Sequence, residues 1–191
     1  MNNKIIFITG NMEKVNIAKA ALKDTGVIIE NKKIKCPEIQ SDDTEEIVKY
    51  SARYASNELK SNVIKTDSGL FIESLNGFPG PYSEYVERKL DAKEILNLMQ
   101  NKSERKAYYK EILAYCEYEG EITTFTTYTY GKISTEISGE NGWNFDRIFI
   151  VDGDTKTIAN YDDIERAKKY SHDNWKKLLE YLNNREKEIG R

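Results

Sequence analysis

Apolar and polar positions follow two different periods along this chain, and the changes of period mark its elements. Ile5, Ile6, Phe7 and Ile8 form a short continuous apolar run, the pattern of a buried strand, so a strand is predicted over Lys4 to Thr9. Behind Asn11, the residues Val15, Ala18 and Leu22 recur at three- and four-residue spacing. A helix is therefore expected from Asn11 to about Asp24, with Asn11 as its N-cap. A second strand follows over Val27 to Glu30, then a long helix from Thr44 to Lys60 carrying Ile47, Tyr50, Ala55 and Leu59. Asn62 to Lys65 leads into Thr66 to Ile72, with a turn at Asp67-Ser68-Gly69. From Tyr108 to Ser134 the pattern turns antiparallel. Ile112, Ala114 and Cys116 alternate with polar neighbours, Glu119-Gly120 supplies a turn, and Thr123 to Tyr130 returns. A strand over Ile148 to Val151 precedes a closing helix from about Tyr161 to Asn184, with Ile164, Ala167, Ser171, Trp175, Leu178 and Leu182 along one face. These pieces predict a single α/β domain over residues 1–191, built on a mixed sheet with its hairpin extending to one side.

Length and charge narrow the function. A chain of 191 residues can bury a core without staples. Net charge is −3 from 29 basic and 32 acidic residues, which argues against a nucleic-acid partner. Two cysteines, Cys36 and Cys116, and one histidine make a zinc or histidine-based metal cluster unexpected. No signal peptide precedes the first strand, and no apolar run approaches the roughly 20 residues that cross a bilayer. The expectation is a cytoplasmic protein with no membrane partner.

Three clusters carry candidate chemistry. Thr9-Gly10-Asn11-Met12-Glu13-Lys14 joins a strand to a helix start, where partly positive N–H groups and a lysine suit phosphate. The segment lacks the second glycine and the Gly-Lys-Ser/Thr ending of a P-loop. Asn76-Gly77-Phe78-Pro79-Gly80-Pro81-Tyr82-Ser83 concentrates glycine and proline, which stiffens a loop and lets backbone approach a ligand. Gly142-Trp143-Asn144-Phe145-Asp146-Arg147 sets aromatics among polar groups, the composition of a flat pocket for a ring. Taken singly, the last two read first as a surface turn and as a core Trp and Phe.

Together and in this order the segments resemble the inosine triphosphate pyrophosphatase family. The matching pieces are Thr9-Gly10-Asn11 with Lys14, Pro37-Glu38-Ile39-Gln40, Asp67-Ser68-Gly69-Leu70, Leu75-Asn76-Gly77 with Pro79-Gly80, Tyr82-Ser83, Gly142-Trp143-Asn144-Phe145-Asp146 and Ser171-His172. The resemblance spans residues 4 to about 182. It implies an elongated α/β fold, usually a homodimer, that hydrolyses deaminated purine nucleoside triphosphates to the monophosphate and pyrophosphate using Mg²⁺, with Mn²⁺ as the alternative ion. Cleaning of the nucleotide pool follows.

Residue by residue, the resemblance implies that Thr9, Asn11 and Lys14 bind phosphate, that Glu38 binds the metal, and that Asp67 is the general base or holds a second metal. Lys14 and Asp67 are thus the candidate catalytic residues. Ser68 and Gly69 would supply a tight turn and backbone donors. Trp143 or Phe145 would stack on the purine, Asp146 would accept from a ring N–H, and Ser171 and His172 would sit near the base, His172 by its 6-position substituent. A carboxylate beside a lysine should be ionised, so Asp67 should be ready to accept a proton.

This chain departs from the family pattern at several charged positions. Ile17 stands where a glutamate follows the phosphate-site lysine, Thr66 where a second acid precedes Asp67, Ser51 where the long helix carries a lysine, and Ala167 and Asp173 where two cations flank Ser171-His172. Lys168, Lys169 and Arg147 are near enough in sequence to compensate. Two functions are thereby expected: an active pyrophosphatase with altered base preference, or a non-catalytic nucleotide-binding or interaction protein that kept the fold.

Overall fold

The computed structural model describes residues 4–23 and 25–189. Six strands form one mixed sheet: β1 Lys4–Ile8, β2 Ile28–Lys32, β3 Val63–Ile72, β4 Lys106–Cys116, β5 Ile122–Ile133 and β6 Phe149–Val151, in the order β2-β1-β3-β4-β5-β6. β1 runs parallel to β2, with Ile6 opposite Glu30, and parallel to β3, with Phe7 opposite Ile64. β6 is antiparallel to β5, with Lys132 opposite Ile150. β4 and β5 are joined by a turn in which the Glu117 N–H donates to Glu121 O at 3.0 Å, a connection that only antiparallel neighbours can use. The helices are α1 Met12–Ala21, α2 Thr44–Leu59, α3 Ser83–Glu87, α4 Ala92–Leu98, α5 Asp163–Lys169 and α6 Asp173–Ile189. The mixed α/β architecture expected from the sequence is therefore found.

The chain folds as two compact units. The first comprises residues 1–67, 111–127 and 172–191, the second residues 68–110 and 128–171. No linker separates them, because the chain passes from one to the other within β3, β4 and β5 and between Ser171 and His172.

In the first unit the pleat sorts side chains into two cores. Ile5, Phe7, Ile64, Leu113 and Tyr115 pack on one face with Val15 and Ala18 of α1 and Trp175 and Leu178 of α6. Ile6, Ile8, Val63, Ile112, Ala114 and Cys116 pack on the other with Val48, Ala52 and Ala55 of α2. Covering both faces is what parallel strands require, since each face would otherwise leave apolar surface in water. Trp175 meets Phe7 edge to face, ring centres 5.4 Å apart. The second unit has its own core of Leu70, Ile72, Ile95, Met99, Phe145, Phe149 and Ile158 among others.

Three expectations are corrected. Asp67-Ser68-Gly69 is not a turn but the middle of β3. Gly69 is needed for close packing instead: a Cβ there would lie 2.1 Å from the backbone oxygen of Gly80. The closing helix is two helices, α5 and α6, broken at Tyr170-Ser171-His172, and Ile164 is 71% exposed rather than on a buried face. α1 ends at Ala21, and the expected end at Asp24 lies outside the described residues.

Candidate active site

The strand-to-helix junction is built by its own polar side chains. Asn11 caps α1, its side-chain oxygen accepting from the N–H groups of Glu13 at 2.9 Å and Lys14 at 3.3 Å. Thr9 Oγ1 accepts from the Asn11 N–H at 3.0 Å. Two of the helix-end N–H groups expected to meet phosphate are therefore already taken by the cap. The cations remain. Lys14 Nζ donates to Thr66 Oγ1 at 3.2 Å and lies 3.4 Å from Glu111 Oε2. Lys33 also comes close, because a Cβ on Gly10 would lie 3.3 Å from its Cε.

The pleat of β3 separates the neighbours Thr66 and Asp67. Ile64 belongs to the core of α1 and α6, so Thr66, two residues on, shares that face with Lys14. Asp67 alternates to the opposite face with Val63, which packs against α2. The carboxylate that pairs with Lys14 is thus Glu111, which sequence reasoning missed. It stands beside Lys110 at the polar head of the run Ile112 to Cys116, and nothing local in the sequence links it to Lys14.

On the α2 side, Cys36 packs against the same core, and the exposed Glu38 follows it two residues later. Ser51 of α2 is buried, and its hydroxyl donates to the Pro37 carbonyl at 3.2 Å. Where the family pattern has a lysine, this chain uses a short hydroxyl to tether the segment that presents Glu38. Ile17, in place of an acid, packs against the core of α1 and α6.

The second unit holds the aromatic cluster. Trp143 is 47% exposed and offers a ring face, whereas Phe145 is fully buried in the core and cannot stack on a base. Asp146 is likewise fully buried. Its carboxylate accepts from the Trp143 N–H at 3.0 Å, from Arg166 at 3.1 Å and from the Tyr170 hydroxyl. With these three donors satisfied, Asp146 fastens the Trp143 loop rather than meeting a ring N–H. Burial pushes its pKa upward, while the Trp143 N–H, Tyr170 and Arg166 pull it back. The cation that reaches this carboxylate is Arg166. Lys168 is exposed, and Lys169 is engaged with Asp154 at 2.8 Å.

Ser68 lies in β3, and the loop after it is clamped to that strand. The Leu70 N–H donates to Ser83 Oγ at 2.8 Å, and Ser83 Oγ donates to Gly80 O at 2.7 Å. Ser171 and His172 occupy the break between α5 and α6. The Ser171 N–H is taken by Thr129 Oγ1 at 2.8 Å, and the His172 carbonyl accepts from the Trp175 N–H at 3.1 Å. Asp173 opens α6 as a largely exposed residue paired with Lys176 at 2.9 Å.

Glu87 is the most perturbed carboxyl of the second unit. It accepts the Phe145 N–H at 3.0 Å, and burial pushes its pKa to about 7 against the pull of that hydrogen bond. Because the folded pKa lies above the unfolded one, the folded state binds the extra proton between about pH 4.5 and 7. Stability should therefore fall as pH rises through that window. The undiluted effect is about 3 kcal/mol, reduced to on the order of 1 kcal/mol by the solvent contact Glu87 keeps. Glu87→Gln keeps the acceptor and removes the charge. Its melting temperature should be higher than the parent's at pH 8 and similar at pH 4.5, as thermal unfolding at the two pH values will show.

Comparison with known proteins identifies the family. The model of the Ham1 family matches residues 5–183. A protein of Methanopyrus kandleri named dITP/XTP pyrophosphatase is 44% identical over 169 residues, covering 88% of this chain and 89% of its own. A protein of the same name from Methanosarcina acetivorans is 39% identical, covering 87% and 89%. The Ham1 protein of Staphylococcus aureus superposes with a TM-score of 0.81 at 28% identity, covering 95% of this chain and 99% of that one. The motif resemblance read from the sequence and these whole-length matches lead to the same place: this chain belongs to the Ham1 family.

Proposed function

We propose that this protein hydrolyses deaminated purine nucleoside triphosphates, of the inosine and xanthosine type, to the nucleoside monophosphate and pyrophosphate. The observation that carries this reading is the arrangement around β3. In the first turn of the helix that Asn11 caps, Lys14 has its ammonium held at Thr66, and Asp67 is the next residue along the same strand. Relatives covering most of the chain are named dITP/XTP pyrophosphatase, which supports it.

In this reading Lys14 binds and neutralises the polyphosphate, with Thr9 and Asn11 shaping the turn beside it. Asp67 accepts the proton of the attacking water, or orients it. Trp143 stacks on the base, and Ser171 and His172 read its edge. Glu38 and Asp67 would hold Mg²⁺, or Mn²⁺, since both offer the hard oxygen donors these ions take. The described residues contain no cluster of three or more His, Cys, Asp and Glu arranged for a metal. Mg²⁺ suits such a site, because one or two carboxylates suffice when substrate phosphates and water complete its shell. When bound, the ion would neutralise charge on the phosphate oxygens. A homodimeric state and a cytoplasmic location are proposed with the activity. Among the described residues no helix is long and apolar enough to cross a membrane.

The test is a panel of nucleoside triphosphates with Mg²⁺ or Mn²⁺. Inosine and xanthosine triphosphates should be cleaved in preference to adenosine triphosphate, with monophosphate and pyrophosphate as products. Asp173, held in an exposed pair with Lys176, should not reverse that order. Diphosphate and inorganic phosphate as main products would contradict the proposal, and no turnover on any member would point to a non-catalytic protein.

A further inference from the structure

We propose that Glu111 is a positioning residue for Lys14, aiming its ammonium at the polyphosphate through a relay that ends in the buried side chain of Asn174. The inference rests on the phosphate-binding role given to Lys14 above.

A lysine presents a point charge on a flexible four-carbon stem, so its use in a site depends on what holds the head. Here the head has two partners: Thr66 Oγ1 at 3.2 Å and Glu111 Oε2 at 3.4 Å. An ammonium has three donors, so the arrangement leaves capacity for a phosphate oxygen. The separation from Glu111 exceeds the 2.7–2.9 Å typical of a tight charged hydrogen bond. Glu111 therefore orients the cation without saturating it.

Glu111 is itself held from behind. Its other oxygen, Oε1, accepts from Asn174 Nδ2 at 2.8 Å. Asn174 is fully buried, and its Oδ1 accepts from the Trp175 N–H at 3.0 Å. Trp175 in turn is buried against Phe7. A buried amide satisfied on both sides has little freedom, and its rigidity passes through the carboxylate to Lys14. Lys14, Thr66, Glu111 and Asn174 all belong to the first unit. The relay also begins in the first turn of α6, directly after Ser171-His172.

The opposite role is equally definite in its consequences. A carboxylate that merely competed with phosphate for Lys14 would weaken binding, and its removal would lower KM. The two signs separate the two roles.

Glu111→Gln keeps the volume and an acceptor for Asn174 but removes the charge facing Lys14. Nucleoside triphosphate KM and the Kd of inorganic tripolyphosphate should each rise about three- to tenfold, with kcat changed less than twofold. Glu111→Asp, which keeps the charge on a shorter arm, should fall between parent and Gln variant. In a Lys14→Ala background the Gln substitution should add nothing further, which a merely structural contribution would not produce. Unchanged or lowered KM and Kd in Glu111→Gln, or an additive effect in the Lys14→Ala background, would overturn the proposal. Tripolyphosphate binding keeps it separable from the enzymatic reading: a parent that binds the anion but cleaves no nucleotide refutes the activity and still judges Glu111. A parent that binds no tripolyphosphate refutes both.

Discussion

Replacing Asp67 by Asn should lower turnover by roughly 100-fold or more while leaving the fold intact. The side chain lies mid-strand in β3, where an isosteric amide keeps the backbone ladder. What changes is chemistry. Asn can neither accept the proton of an attacking water nor offer an anionic oxygen to a metal, and both roles proposed for Asp67 need that charge. Steady-state pyrophosphate release, followed beside a thermal melt, measures both consequences. Turnover close to the parent's, in a variant with the parent's melting temperature, would remove Asp67 from the mechanism and transfer the search for a base to Glu38. The effect should reside in kcat, because a base acts in the transition state rather than in ground-state binding.

Much of the first unit was legible because its determinants are local. The apolar run of β1 and the cap at Asn11 lie within a few residues of what they organise, and the structure has both. The break between α5 and α6 was not legible. Neither Gly nor Pro marks Tyr170-Ser171-His172, and the helical period continues across it. The interruption comes from distant partners: Thr129 takes the Ser171 N–H, and the Tyr170 hydroxyl is drawn to Asp146. The same holds for the site. Family motifs led to Lys14, but Glu111 is paired to it only by the packing of α1 on β4. Phe145 and Asp146 read as base contacts from the sequence because composition cannot tell a pocket lining from the layer beneath it. Burial assigns them to that layer and leaves Trp143 on the surface. α3 and α4 escaped because helices of five and seven residues carry too few turns for a periodic signal.

Lys14→Ala should weaken triphosphate binding by more than about tenfold without unfolding the protein. The lysine is partly buried, with a quarter of its side chain exposed, so its charge acts with less screening than a surface lysine's. A charge-assisted hydrogen bond to phosphate contributes on the order of 1.5 to 3 kcal/mol, which corresponds to roughly 10- to 150-fold in affinity. The fold should survive, because the residue lies in the first turn of α1 and outside its core, so the packing of Val15 and Ala18 is untouched. The cap is also independent of the side chain, since Asn11 bonds the backbone N–H of residue 14. Equilibrium binding of a non-hydrolysable triphosphate, compared with binding of the corresponding nucleoside, isolates this contribution. The nucleoside should bind parent and variant alike, and triphosphate affinity equal to the parent's in a folded Lys14→Ala protein would reject the phosphate-site assignment.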